Sequence, residues 1–319
     1  KLIEYIKQSM MNRIPEMEWL DDETIEYAFK KIASMNETVA YQDDIMNVEI
    51  LYNKYKEMGI NEDDFLNNII NYYKYKNKEN LKNIIPGYIN PLDIGFSPQV
   101  INAAYTFRTN SFSIPAGILQ PPFFSSGIPD YINYGGIGSV IGHELTHAFD
   151  NNGKDFDMFG DYNNWWSEND REEYENLSQC FVNQYNKFFI PIEPRNYYVN
   201  GEKTLNENLA DNGGLARAYE SWKYSLKEDP ETVKKQNQQL PGLTKYTPDQ
   251  LFYISYGRLW CYNVYTNDYG LMRYLFDSDP HAPGIARVNG VVSNSKQFAK
   301  AFNCPVNSKM NPEKKCELW

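Results

Sequence analysis

The residues best placed to do chemistry are His143-Glu144-Leu145-Thr146-His147. On a helix, positions four apart lie one turn apart on the same face, so both imidazoles can reach one metal ion. The glutamate beside the first histidine can take a proton from a metal-bound water and pass it to a departing amine. Taken alone, the pentapeptide also fits two ordinary histidines on a half-buried helix, so the case needs further residues.

Glu207-Asn208-Leu209-Ala210-Asp211 follows about sixty residues downstream on a predicted helix. Glu207 can supply a third ligand. Asp211, one turn later, can hold the far nitrogen of a ligating histidine. Gly213, Gly214 and Ala216 make that helix face small enough for close packing, which argues against a solvated acidic surface. The third and last histidine, His281, sits in Ser278-Asp279-Pro280-His281-Ala282-Pro283, a stiff loop that could hold an imidazole at a cleft. With Arg287 it could stabilise a developing oxyanion. A polar surface loop fits the same composition.

These residues need elements to hold them. Apolar positions of the first motif (Ile137, Val140, Ile141, Leu145, Ala148, Phe149) predict a mostly buried helix over 137–151. Helices are also expected over 165–189, 205–226, 248–265 and 295–302. Upstream, Leu20, Ile25, Ala28, Phe29 and Ile32 recur at threes and fours behind Asp21-Asp22, and 41–81 carries one or two amphipathic helices. Residues 1–85 therefore read as a helical scaffold region and 86–319 as the catalytic core. Gly and Pro increase from Pro86, and 112–118 resembles an edge strand ended by Pro and Gly. The sum is mainly α with a small β-sheet.

A formal charge of -11 argues against a nucleic-acid surface, which needs clustered Lys and Arg. Hydrophobic residues at 42% and charged residues at 23% describe a folded globular chain, and no apolar run is long enough to span a membrane. The start at Lys1 resembles the interior of a longer protein. Cys180, Cys261, Cys304 and Cys316 include no CxxC pair and suit disulfides, with the pairing left open. The sequons at Asn36 and Asn176 agree with an extracellular setting.

Several blocks together resemble the C-terminal catalytic half of the neprilysin family. They are Asn102-Ala103, Pro115 to Phe124, Gly142 to Asp150, Leu205 to Gly214, Arg287-Val288-Asn289-Gly290 and Cys316-Glu317-Leu318-Trp319. The resemblance implies a thermolysin-like (gluzincin) core with helical additions and one zinc ion held by His143, His147 and Glu207. It implies Glu144 as general base, Asp211 as the residue orienting a ligand histidine, and His281 as transition-state stabiliser. Asn102 and Ala103 would hold the substrate backbone as an added strand, and Arg287 the carbonyl beyond the scissile bond. Ile118, Phe123, Ser139, Val140, Leu259 and Trp260 would line an apolar pocket for the residue after that bond. Ser139 is smaller and more polar than the family's methionine there, and Leu259 larger than its valine.

The implied activity is zinc-dependent endopeptidase cleavage of oligopeptides on the amino side of bulky hydrophobic residues, by Glu-assisted attack of zinc-bound water. Family members are secreted or type II membrane ectoenzymes. Their N-terminal part covers the active site and supplies partners for Cys261 and Cys304, while Cys180 pairs with Cys316. No nucleic acid and no membrane contact are expected for this segment. Thr38 to Asp43 departs from the family's Gly-Tyr-Pro pattern. The rival readings are a non-catalytic peptide-binding protein and a zinc-loaded segment that is inactive without its missing part.

Overall fold

The computed structural model describes residues 1–82, 84–85, 97–192, 195–228, 230–262 and 269–319. It is mainly helical with two small sheets, as the periodicities predict. By internal packing the chain falls into two compact units. The larger comprises 1–36, 103–112 and 119–319; the smaller comprises 37–102 and 113–118. This division differs from the change of composition at Pro86, because the first 36 residues pack with the metal-motif helices.

Local capping explains where the principal helices start. Asp21 accepts from the Thr24 N–H ahead of the helix Asp22–Ala33, and Ser167 from the Asp170 N–H ahead of Glu168–Tyr185. Thr247 and Gln250 form a reciprocal capping box before Pro248–Leu259. That helix stops earlier than the predicted 265, and residues 263–265 lie outside the described residues. The helix Leu205–Ser225 matches its prediction closely.

The first motif departs more. Its α-helix covers only Ser139–Thr146, entered through a π-helical turn Tyr134–Gly138 and left through a 3-10 turn His147–Phe149. Gly136 adopts φ -86°, ψ -107°, and a Cβ there would lie 2.4 Å from the Phe123 carbonyl oxygen, so the backbone kinks against that carbonyl. At the other end Asp150 is extended and accepts from the Asn152 and Gly153 N–H groups, which closes the helix.

Strands β1 (Asn36–Ala40), β2 (Ala104–Thr106) and β3 (Ser111–Pro115) form a sheet in the order β1-β3-β2. The predicted edge strand, β3, is thus the middle one, and β2 lies at the edge. Strands β4 (Phe189–Ile192) and β5 (Arg195–Tyr198) make an antiparallel hairpin with no counterpart among the predicted elements.

Two clusters build the core of the larger unit. One gathers Tyr131, Tyr134, Trp222, Phe252 and Tyr256. In the other, Trp319 packs on Trp19, Phe149, Trp166 and Tyr174. The Cys180–Cys316 disulfide pins this last segment, the pairing implied by the resemblance, while Cys261 and Cys304 carry free thiols. Among the described residues no helix is long and apolar enough to cross a membrane.

In the smaller unit, Ala40-Tyr41-Gln42 stands where the Gly-Tyr-Pro pattern was expected, and Ala40 takes φ +65°. A left-handed backbone costs a residue with a Cβ about 1–2 kcal/mol, a penalty glycine avoids. Ala40→Gly should therefore stabilise the fold by about 1 kcal/mol, read as a higher denaturation midpoint at unchanged slope.

Candidate metal centre

The two motif helices, Ser139–Thr146 and Leu205–Ser225, pack backbone to backbone. A Cβ on Gly142 would lie 2.5 Å from the Gly214 carbonyl oxygen, and one on Gly214 would lie 2.4 Å from the His143 nitrogen. Only residues without side chains permit this approach, and it delivers Glu207 to the two histidines.

Candidate ligand atoms of His143, His147 and Glu207 all lie within 4.8 Å of one another. The two Nε2 atoms are 3.0 Å apart, and Glu207 Oε2 is 3.2 Å from that of His143 and 3.6 Å from that of His147. Each histidine has its other nitrogen against a buried carboxylate: His143 Nδ1 lies 2.8 Å from Asp211 Oδ1, and His147 Nδ1 lies 2.6 Å from Asp150 Oδ2. An ionised carboxylate accepts only, so each Nδ1 carries the proton and each Nε2 presents a lone pair. Two lone pairs and a carboxylate oxygen then converge, an arrangement that repels unless a cation occupies its centre. Glu207 Oε2 is buried and makes no well-directed hydrogen bond despite these short distances, consistent with atoms aimed at a common point. The donor set, two imidazoles and one carboxylate, suits zinc.

The metal-free electrostatics agree. Burial opposes charge on His147, but Asp150 and Glu207 outweigh it and raise its pKa well above the ordinary value. Burial would raise Glu207, yet contacts with His143, His147 and His281 hold it well below the usual carboxylate range. Asp211, opposed by burial but held ionised by Arg287 and His143, falls to about 2.

Glu144 is 5% exposed. Burial pushes its carboxyl above the ordinary range against the pull of His143 and His147, and the Tyr105 N–H of β2 donates to it. His281 places Nε2 3.0 Å from Glu207 Oε2 and is tethered through Nδ1 to Asp279 Oδ1 at 2.8 Å. The guanidinium of Arg287 grips Asp211 through Nε and Nη2, both at 2.6 Å, and lies 3.7 Å from the Trp260 ring centroid.

The structure thus joins Glu144, Asp211, His281, Arg287 and Trp260 to the three ligands. Ser139 is buried with its hydroxyl donating to the Gly135 and Gly136 carbonyls, so its polarity is spent on its own helix. Val140, Phe123 and Leu259 are part-buried in the same unit, and Ala103 is buried just before β2. Asn102 and Ile118 belong to the smaller unit. Asn36 and Asn176, the sequon residues, are exposed.

Sequence reasoning assigns no role to Asp150, Asp279, Tyr105 or Lys31. Asp150, three residues after His147, has a usable spacing signal; the others depend on tertiary contacts. Lys31 is fully buried, and its Nζ donates to the carbonyls of Ala148, Gly153 and Phe156 at 2.7, 2.8 and 2.6 Å. Burial pushes its pKa down to about 7 against the pull of Asp150, Asp155 and Asp157. Three carbonyl acceptors favour the ammonium, since a neutral amine has only two hydrogens to donate. Lys31 thereby fixes the segment that carries Asp150, and through it His147. Lys31→Met should leave three buried carbonyls unpaired, costing about 3 kcal/mol or more. It should also weaken zinc binding about tenfold, measured by chelator competition beside thermal unfolding.

Comparison with known proteins agrees with this site. Residues 102–318 match the model of peptidase family M13. The chain is 38% identical over 318 residues to an endothelin-converting enzyme homolog of Locusta migratoria, covering all of this chain and 42% of that protein. It is 38% identical over 319 residues to neprilysin of Homo sapiens, again covering all of this chain and 41% of the relative. A crystal structure of the Mycobacterium tuberculosis zinc metalloprotease Zmp1 with an inhibitor superposes with a TM-score of 0.84 at 28% identity, covering all of this chain and 46% of that one. The chain spans about two fifths of the length of the curated relatives it matches.

Proposed function

The chain belongs to peptidase family M13, and from that premise we propose that it is the catalytic part of a zinc-dependent endopeptidase cutting oligopeptides before bulky apolar residues. The observation that carries this reading is the convergence of two imidazole lone pairs and a carboxylate oxygen, each imidazole backed by its own buried carboxylate.

Zinc held by His143, His147 and Glu207 would supply Lewis-acid chemistry, acidifying water and polarising a carbonyl. Glu144 is the proton carrier. Buried next to the first ligand in the sequence, it can accept a proton from the attacking water and release it to the departing amine nitrogen. Asp211 and Asp150 keep the two imidazoles in the ligand tautomer. His281, held by Asp279, offers an N–H to the developing oxyanion. Two of the Arg287 nitrogens are committed to Asp211, so its proposed contact with the substrate carbonyl uses Nη1. Asn102 and Ala103 receive the substrate backbone alongside edge strand β2.

Phe123, Ser139, Val140, Leu259 and Trp260 of the larger unit would shape the apolar pocket, and the internally bonded Ser139 hydroxyl leaves it apolar. We place the parent protein outside the cell, secreted or as a type II ectodomain. The disulfide and the exposed Asn36 and Asn176 support this reading. A further N-terminal part would cover the site and pair with Cys261 and Cys304, whose thiols are free here.

A mixed peptide library incubated at neutral pH, with and without a zinc chelator, tests the reading by product mass. Chelator-sensitive cuts before Phe, Leu or Ile are expected. Cuts insensitive to the chelator, or scattered without regard to side chain, would overturn it. Because the chain spans only part of its relatives, stoichiometric zinc without cutting favours a second reading, in which turnover needs the missing part.

A further inference from the structure

Edge strand β2 packs against the motif helix Ser139–Thr146, and its Tyr105 N–H donates to Glu144. The same tyrosine is 9% exposed, and its phenol donates to Asn110 Oδ1 at 2.7 Å. We propose that Asn110 is a positioning residue for Glu144, acting through the Tyr105 phenol on the strand that faces the proton carrier. The proposal rests on the peptidase reading above and adds a residue to it.

Asn110 is itself firmly held. It is 1% exposed and left-handed at φ +42°, a conformation asparagine tolerates better than most residues. Its NH₂ group donates to the Lys31 carbonyl at 2.9 Å and to the Ser34 hydroxyl oxygen at 3.0 Å. That carbonyl lies in the last turn of Asp22–Ala33, where a helix leaves its carbonyls without N–H partners. A carbonyl only accepts, so it orients the amide with Oδ1 toward Tyr105. Burial, reinforced by Asp150, pushes the Tyr105 phenol well above its usual pKa, so it stays a donor. Both ends of the bond therefore have fixed roles.

The bond spans a short turn. β2 ends at Thr106, a 3-10 turn covers Phe107–Thr109, and β3 begins at Ser111. Tying Tyr105 to Asn110 across that turn limits how far β2 can slide along β3, and so where its N–H stands before Glu144. Lys31 continues the connection, because its ammonium holds the Ala148, Gly153 and Phe156 carbonyls behind His147. One amide thus ties the strand at the proton carrier to the helix that anchors the loop of a metal ligand.

Two variants test this. Tyr105→Phe removes the phenolic oxygen and keeps the N–H, while Asn110→Gly removes the amide and still permits a left-handed backbone. Each should lower kcat per bound zinc about tenfold, with KM within about twofold and zinc affinity unchanged, well below every variant's unfolding midpoint. The double variant should lose no more than the greater single, because both cut one bond. Ser111→Ala, which removes only the exposed Thr109–Ser111 hydroxyl contact on the same turn, should keep wild-type kcat. Amide hydrogen exchange at residue 105 needs no activity: both variants should speed it about tenfold or more, with Leu205–Ser225 unchanged. Unchanged exchange there, unchanged kcat in either single variant, or a loss confined to stability or zinc affinity overturns the proposal. A wild type that cuts nothing bears on the peptidase reading and not on this bond. The exchange result then decides by itself, faster exchange supporting the proposal and unchanged exchange overturning it.

Discussion

Glu144→Gln should reduce kcat/KM for peptide hydrolysis by about 10²–10⁴-fold while leaving zinc stoichiometric. Glu144 lies outside the group of ligand atoms formed by His143, His147 and Glu207, so its loss removes no ligand. Glutamine has nearly the same shape and can still accept the Tyr105 N–H through its carbonyl oxygen, so the buried position should remain packed. What disappears is the capacity to take up a proton and return it. Metal analysis of the purified variant, set beside its kinetics, separates the possibilities. Activity within a few-fold of wild type would remove Glu144 from the proton-transfer role. Loss of zinc along with activity would show instead that the carboxylate supports the ligands. Glu207→Gln makes the contrasting case: zinc itself should fall away, because the third ligand loses its charge.

The second large effect is expected at a residue with no side chain at all. Gly214→Ala should destabilise the protein by about 3 kcal/mol and lower activity by about 10²-fold. The added Cβ would lie 2.4 Å from the His143 nitrogen and 2.8 Å from the Gly142 carbonyl carbon, both backbone atoms with no side-chain freedom to yield. The helices must therefore separate, and overpacking of this kind costs about 1–3 kcal/mol even where side chains can adjust. Separation moves Glu207 away from His143, and a displacement of about 1 Å at a reacting centre can cost 10²-fold. Gly127→Ala is the control, since a Cβ at Gly127 would meet nothing within 4 Å and its φ is unexceptional. Thermal unfolding, zinc affinity and kcat/KM should all shift for the first variant and stay near wild type for the second. A Gly214→Ala protein with unchanged zinc affinity would mean that the helix contact is not what sets the ligand distance.

Both outcomes bear on how the centre is assembled. The ligands are short-range chemistry, but their spacing is a property of two helices held at backbone contact. Lys31 and Asp150 act on the second histidine in the same indirect way, one through three carbonyls and the other through a single imidazole nitrogen.

Much of this is legible in the residues. The i, i+4 histidines with the intervening glutamate fix a metal-binding face wherever they are helical, and the small residues after Asp211 announce a close helix contact. Apolar periodicity locates the helices Asp22–Ala33, Glu168–Tyr185 and Leu205–Ser225, because an amphipathic face repeats locally. The early end of the motif helix at Thr146 is not legible, since Asp150 turns the chain by accepting two backbone N–H groups in competition with the helix. Nor is the β1-β3-β2 strand order, which depends on pairing across long stretches of chain.

The sequence by itself determined which atoms can bind a metal and which carboxylate can carry a proton. The tertiary structure alone decided that Arg287 shares Asp211 with His143, that Lys31 anchors the loop behind His147, and that Arg217 is buried with two nitrogens unpaired. The physical reason is range. Ligand identity and helix periodicity are written into neighbouring residues, whereas the partners of a buried charge come from wherever the fold brings a carboxylate or a carbonyl within about 3 Å.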